Sequence, residues 1–419
     1  MKKPKILILT SAFPYLPGEY FIEDEMPYWE TTELFEEIAI MPWSAKGDPR
    51  PVSKNIKIDK TLSEKAAPKW IRCLYCAQCF FYSFTYKEIL HLAKAKKLTA
   101  RNIYRLLASA SGSMAVYKRL KKYLVGKEGY TVYAYWHSVQ AYGAALAKRA
   151  GLIDRLVSRA HRFDVYENWR PDEYMPLKRQ LAQYFDSIFA LSGEAKDYMQ
   201  NTYGIPPHIL KIDPLGVPLP ASMSSPSEPG NLNIVSVSFC RPIKRVDKII
   251  EAVALFAGQN PSLCVNWRHV GGGPLVEEME ELARLRLNPH KNATHAFLGT
   301  IPNEEVKAFY LRNSVDVFIN ASESEGIPVS IMEAMAAGVL PIATGVGGVA
   351  DLVSNDFGVL MSENPSIKEI AAAIGLAAQK ARRADQRAKA RERIESQFNA
   401  AKNYPEFIKT LHGIDLPRI

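Results

Sequence analysis

Residues 318–348 read FINASESEGIPVSIMEAMAAGVLPIATGVGG, and this stretch decides the fold. An apolar run, VDVFIN, reads as a strand. A helix follows over PVSIMEAMAAG, with Pro328 at its first position and Gly338 at its end, the asymmetry expected of a helix. VLPIAT then reads as a second strand, and GGVADLV opens another helix. Strand, helix and strand in so short a span make a parallel crossover unit. Between the first strand and the helix lie two carboxylates, Glu325 and Glu333. Glu325 precedes the helix and Glu333 sits in its second turn. The free amides and dipole of the helix start form an anion site between them. Gly326 permits close approach of the backbone to a ligand. Carboxylates only accept hydrogen bonds, so the pattern suits a ligand with a phosphate centre and hydroxyls at both ends. A nucleotide sugar has that layout, although two glutamates alone fit a solvated surface equally well.

The α/β pattern extends in both directions. NIVSVSF, CVNWRHVG and ATHAFLG read as strands, separated by the helical segments KRVDKIIEAVALFAG and PLVEEMEELARLRL. NEEVKAFYLRN reads as a helix capped by Asn303. Residues 366–395 are helical, and a last helix lies near Tyr404–Leu411. In the first half, Lys5–Leu9, Glu37–Met41, Thr131–His137, Leu156–His161 and Ser187–Ser192 read as strands, and residues 70–125 as mostly helical. Proline and serine crowd the segment before Gly230, the composition of a linker. The expected division is an N-terminal Rossmann-like domain over 1–218, a linker over 219–230, a C-terminal Rossmann-like domain over 231–395, and a C-terminal helix within 396–419 packing back on the first domain. No short-period repeat occurs.

The 419 residues suffice for such domains, and 47% hydrophobic with 23% charged residues exclude a disordered chain. The formal charge of +9 favours an anionic partner. Neither a secretion signal nor a run of about 18 apolar residues is visible, so the expected location is cytoplasmic. Three of the five cysteines form CLYCAQC at Cys73, Cys76 and Cys79. No further cysteine completes a four-ligand metal set, and the spacing reads as a buried or interfacial helix stripe.

The region 210–355 resembles the retaining glycosyltransferases of family four, which have the GT-B fold: α/β, with two Rossmann-like domains facing a central cleft. The resemblance rests on the Glu325–Glu333 stretch, KRVDKIIEA, HVGGGP at 269–274, FLGTIPNEEV at 297–306 and PLGVP at 214–218, all in the family's order. TSAFPYLPGEYFIEDEMPYW, YAYWH and SRAHRFDVYE carry it more weakly in the first half. Within the family the chain looks most like bacterial enzymes that build capsule, exopolysaccharide or O-antigen chains. The resemblance implies the following site. Glu333 accepts from ribose hydroxyls and Glu325 from the donor sugar. The amides of Gly326, Ile327, Pro328 and Val329 (proline contributing only its place in the turn) and the Lys244 ammonium bind the diphosphate. Thr300 and Ile301 face the base. The family often has an arginine where this chain has Phe239; Arg241 or Arg245 is the expected substitute. His161 ends a strand, where ligands bind in open sheets, and is expected to touch the donor; His137 is a weaker candidate. Gly18, in the first loop, would let the backbone approach a substrate.

The implied reaction transfers a hexose from a UDP- or GDP-linked donor, which is a substrate and not a cofactor, to a glycan or lipid-linked glycan acceptor. No Asp-x-Asp occurs, so no metal is expected. Between Lys87 and Glu128 lie eleven Lys or Arg and two Glu. This segment fits a solvated face or contact with an anionic membrane at the inner face of the cell membrane, aided by CFFYSFTY. Nucleic acid is not expected, for want of a recognisable motif. Two other readings stay open: a GT-B nucleotide-sugar epimerase, and a non-catalytic sugar-nucleotide-binding assembly subunit.

Overall fold

The computed structural model describes residues 3–16, 19–63 and 68–413. The chain divides into two compact units, one of Met1–Asp213 with Tyr404–Ile419 and the other of Pro214–Asn403.

In the first unit the described strands are β1 (Lys5–Thr10), β2 (Glu37–Pro42), β3 (Ile56–Ile58), β4 (Tyr130–Ala134), β5 (Arg155–Ala160), β6 (Ser187–Ala190) and β7 (Leu210–Ile212). They form one sheet in the order β3-β2-β1-β4-β5-β6-β7, with every pairing parallel. A parallel sheet is covered on both faces, which is why its strands are near-continuous apolar runs. Alternation along β1 shows the two faces. Leu7 and Leu9 join one core with Ala110 and Met114 of the helix Ala100–Leu124. Ile6 and Ile8 join another with Phe407, Ile408 and Leu411 of the helix Ala400–His412. The C-terminal helix thus completes the first unit's core.

In the second unit the described strands are β8 (Asn231–Val237), β9 (Cys264–Val270), β10 (Ala293–Phe297), β11 (Val317–Asn320), β12 (Leu340–Thr344) and β13 (Val359–Met361). Their order is β10-β9-β8-β11-β12-β13, again all parallel. The chain moves outward from β8 to β10 and then returns to the other side of β8 with β11. The loops after β8 and β11 therefore diverge at a topological switch point, where open α/β sheets bind ligands. In the first unit the corresponding point lies between β1 and β4.

Some local expectations change. The proline- and serine-rich segment is fastened to the second unit. Ser224 Oγ donates to Asn313 O at 2.9 Å, and Asp316 accepts from the amides of Ser227 and Asn233, both at 2.9 Å. Serine suits a free linker, but also a segment whose backbone must be hydrogen-bonded where it is buried. Residues 366–395 form two helices, Ile367–Ala381 and Ala384–Gln397. The cysteine stripe is graded: Cys73 is exposed, Cys76 half-buried and Cys79 buried. Each three-residue step falls about 60° short of a full turn, so three such positions drift off one face.

Candidate functional site

Lys244 closes a short 3-10 turn, Pro242–Lys244, after β8. Glu325 lies in the loop after β11, ahead of the helix Val329–Ala336. Lys244 Nζ stands 2.6 Å from Glu325 Oε1, and Asn320 Nδ2 donates to the same oxygen at 3.2 Å. Burial raises the Glu325 pKa, but the Lys244 ammonium, with hydrogen bonds from Lys244, Ser322 and Asn320, outweighs it and holds the carboxyl below the usual range. Glu325 is therefore ionised at neutral pH.

The two loops are tied again beside this pair. Glu323 N donates to Ile243 O at 2.9 Å. Arg245 Nη1 meets Glu323 Oε1 at 2.7 Å and its Nη2 meets Asp247 at 2.8 Å. These bonds hold Arg245 at φ 50°, in the left-handed region, a strain of about 1–2 kcal/mol. Arg245 is thus occupied by carboxylates. Arg241 is exposed, rests against the Phe239 ring at 5.0 Å, and makes no ion pair among the described residues. Of the two arginines that could take the place of a residue at Phe239, Arg241 is the one available to an anion.

Glu333 is buried in the second turn of its helix. Asn303 Nδ2 donates to Glu333 Oε1 at 2.7 Å. This corrects the reading of Asn303 as a helix cap: the helix is Asn303–Arg312, Pro302 occupies the cap position, and the Asn303 amide orients Glu333. Pro328 likewise sits one position before its helix, as the cap residue.

The glycine-rich loop after β9 brings the remaining walls together. A Cβ on Gly271, at φ 139°, would lie 1.9 Å from Ser238 O. Without it, Cys240 N donates to Gly272 O at 2.7 Å and Gly271 N to Gly299 O at 2.8 Å. Thr300 Oγ1 lies beside Gly272, so the loop carrying Thr300 and Ile301 is knit to the loop carrying Arg241 and Lys244. His269 locks this arrangement from below. Its Nδ1 pairs with Ser236 Oγ at 2.8 Å and its Nε2 approaches Cys240 Sγ at 3.2 Å. Burial lowers its pKa to about 4, so it is neutral. Gly347, at φ 54°, fits against Glu325 O, which a Cβ would meet at 2.1 Å.

Lys244, Glu325, Glu333, Gly326–Val329, Arg241, Thr300 and Ile301 thus all belong to the second unit and its strand-end loops. His161 belongs to the first unit, and Gly18 lies outside the described residues. His161 follows β5 directly. Its ring packs on Tyr135 at 5.2 Å and Trp136 at 4.6 Å, and its Nε2 has no hydrogen-bond partner among the described residues. Burial, with the nearby Arg159 charge, lowers its pKa to about 3, so it is a neutral imidazole. Asp164 Oδ1 accepts from His161 N at 2.6 Å and Oδ2 from His137 N at 2.7 Å, which fixes both histidines by one carboxylate.

The sequence did not point to Glu19, Asn303, Asn320 or Asp164 as site-forming residues. Glu19 closes the loop after β1: its carboxylate accepts from the amides of Ser11, Ala12 and Phe13 at 2.9, 2.6 and 2.6 Å, and from Trp136 Nε1 at 2.6 Å. A polar residue ending an apolar strand, as Asn320 does, was the one available signal.

Residues 223–395 match the family model of glycosyl transferases group 1. A candidate glycosyltransferase of colanic acid biosynthesis, WcaL of Escherichia coli (strain K12), is 28% identical over 272 residues, 61% of this chain and 64% of that protein. The chain therefore spans somewhat less than two thirds of that relative. The lipopolysaccharide outer core galactosyltransferase WaaB, solved in its apo form, matches with a TM-score of 0.66 at 14% identity over 98% of this chain and 99% of its own. HepE of Anabaena, solved in complex with UDP, matches with a TM-score of 0.64 at 17% identity over 98% of this chain and 100% of its own. The second unit is thus similar to the group 1 glycosyl transferases, and the chain has the GT-B fold of these solved structures, two Rossmann-like units.

Proposed function

We propose that the chain is a retaining hexosyltransferase, moving a hexose from a UDP- or GDP-linked donor to a carbohydrate acceptor that is a lipid-linked or cell-surface polysaccharide intermediate. The observation that carries this reading is the cluster at the second unit's switch point: Glu325 bonded to Lys244 at 2.6 Å, with Glu333 farther along the helix that starts beside them. Lys244, Arg241 and the amides of Gly326, Ile327 and Val329 take the diphosphate. Glu333, oriented by Asn303, takes the ribose hydroxyls. Glu325 takes hydroxyls of the hexose, and Thr300 with Ile301 faces the base. In transfer, the bond from the hexose C1 to the diphosphate oxygen breaks. The acceptor oxygen bonds to C1 on the same face, and its proton passes to the departing diphosphate. The protein supplies position and stabilises the leaving charge, in place of a strong base. His161, being neutral, contributes a hydrogen bond and no charge.

A thermal-shift panel of UDP, GDP, ADP and their hexose conjugates, with and without EDTA, tests the reading. One nucleotide family is expected to raise the melting temperature, and EDTA to leave the shift unchanged, since Lys244 and Arg241 supply the positive charge. Glu333→Ala is expected to weaken that nucleotide by about 10- to 100-fold, the loss of a charge-assisted hydrogen bond or two. Unchanged affinity in this variant would overturn the site. Product formed without an acceptor would point instead to an epimerase, and binding without turnover to a non-catalytic subunit.

The first unit supports work at an anionic membrane face. Trp70 and Leu74 of the helix Lys69–Cys79, and Phe81 just beyond it, are 64%, 51% and 87% exposed. Lys87, Lys94, Lys96, Lys121 and Lys122, in and around the next two helices, are also exposed. Among the described residues no helix is long and apolar enough to cross a membrane. Surface contact through aromatic side chains and lysines would bring the enzyme to a lipid-linked acceptor without crossing.

A further inference from the structure

The first unit contains a cavity of about 480 Å³ that the proposed donor site does not use. It lies at the C-terminal ends of β4 and β5, between the helix Ala100–Leu124 and the loop 163–178. Tyr104, Ala108, Phe163 and Met175 give it largely apolar walls. Its charged lining is mainly cationic. Arg170 stacks on Phe163, 3.7 Å from the ring centroid, and makes no ion pair among the described residues. Arg105 also lines it and is held by Asp172 at 3.1 Å. Lys178 is buried at its base and donates to the carbonyls of His137, at 3.1 Å, and Asp164. The lining carboxylate, Asp164, has both oxygens engaged by the amides of His137 and His161.

Two further observations point to a ligand. His137 lines the cavity, is fully buried, and its Nε2 has no hydrogen-bond partner among the described residues. The loop forming one wall holds Asp172, Glu173 and Leu177 at φ 61°, 42° and 70°, a cluster of left-handed residues typical of ligand clamps. Tyr104 and Phe163 are 72% and 62% exposed, so the apolar wall continues to the surface.

We infer that this cavity binds a lipid phosphate, with the apolar chain along Tyr104, Ala108 and Phe163 and the phosphate at Arg170. The inference rests on the lipid-linked acceptor of the proposed function and assigns its place. An apolar wall alone would take any hydrophobe, and a cation alone any anion; together they select a molecule that is both.

Titration with dodecyl phosphate below its micelle concentration tests this, with dodecanol and inorganic phosphate as comparison ligands. Saturable one-to-one binding of dodecyl phosphate is expected, at least 10-fold tighter than either. Arg170→Ala is expected to remove that advantage over dodecanol. Ala108→Trp should abolish binding, and because Ala108 is exposed its melting temperature should stay within a few degrees of wild type. Should Arg170→Ala fail to fold, Ala108→Trp decides alone. Dodecanol binding as tightly, inorganic phosphate binding as tightly, or binding that survives Ala108→Trp would each overturn the inference. The nucleotide thermal shift, read on the same samples, separates the two claims. A nucleotide shift without dodecyl phosphate binding removes the lipid cavity and leaves the donor site; absence of the nucleotide shift removes the donor site itself.

Discussion

Lys244→Ala is expected to lower transfer by about 100- to 1,000-fold in kcat, the range found when one preorganised donor to a developing negative charge is removed. Lys244 is already engaged before any donor arrives. Its side chain is 26% exposed, and its ammonium bonds a glutamate side chain that is 10% exposed. The lysine is therefore reachable from solvent while its partner is enclosed. In the proposed reaction, an arriving diphosphate would meet the ammonium already in place and share it with Glu325. Alanine removes that charge and leaves the Glu325 carboxylate buried with Asn320 and Ser322 as its remaining neutral donors.

The same variant has a pH signature that separates loss of charge from loss of fold. In the wild-type protein the Glu325 pKa lies below the ordinary glutamate value. Its ionised form thus stabilises the fold above that value, and the contribution disappears as pH falls through the depressed folded pKa. Without Lys244, burial becomes the dominant influence and raises the Glu325 pKa. The carboxylate then destabilises the fold at neutral pH and ceases to do so once protonated. The difference in melting temperature between wild type and variant should therefore be widest near pH 7 and narrow below about pH 4.3, the ordinary glutamate value. A gap independent of pH would show that Lys244 does not hold Glu325, and unaltered transfer at pH 7 would remove Lys244 from the reaction.

How much of this was legible depends on the range of the interaction. The helix start at Val329, the two glutamates and the strand before them are local, and local periodicity with proline and glycine punctuation places them. Parallel order also followed, because strands separated by helices must cross over in one direction. The partner of each carboxylate was another matter. Asn303 and Glu333 are 30 residues apart, and Lys244 and Glu325 are 81 apart; no pattern within either segment encodes the other. The Lys244–Glu325 contact exists because β8 and β11 are neighbours at the switch point. Glu19 shows the same limit in reverse: its carboxylate gathers three amides of its own loop, but only folded backbone brings those amides to one point. The serine-rich segment misled because composition reports solvation in an isolated chain, and here the hydrogen-bonding groups are supplied by Asn313 and Asp316.

Arg159→Met is expected to destabilise the first unit by about 3–5 kcal/mol, the range for breaking a buried ion pair from one side. Arg159 lies in β5 and is fully buried. Its two amino groups meet Glu25 at 2.8 Å and Asp213 at 2.9 Å, so one cation serves two enclosed carboxylates. Methionine has similar length and would fill the space, but it leaves both carboxylates without the guanidinium they share. Glu25 keeps only a neutral donor, Trp29 Nε1 at 2.9 Å, among the partners described for it. The guanidinium also lies 4.0 Å from the centroid of the Phe407 ring, which joins the C-terminal helix to the sheet. Hydrogen exchange should therefore quicken first in the helix Ala400–His412, whose hold on the unit is weakened along with the ion pairs. Because two units unfold in one chain, a single transition is not assumed. Denaturation followed by hydrogen exchange assigns the loss to residues 3–213 and 404–413, and the nucleotide-induced thermal shift should persist, since the proposed donor residues lie in the other unit. Adding Glu25→Gln and Asp213→Asn to the variant should recover part of the stability, because neutral amides do not require a cation. If Arg159→Met unfolds at the wild-type denaturant concentration, the buried triad contributes nothing net to the fold; if the added substitutions recover nothing, the loss comes from packing around Phe407 and not from the two carboxylates.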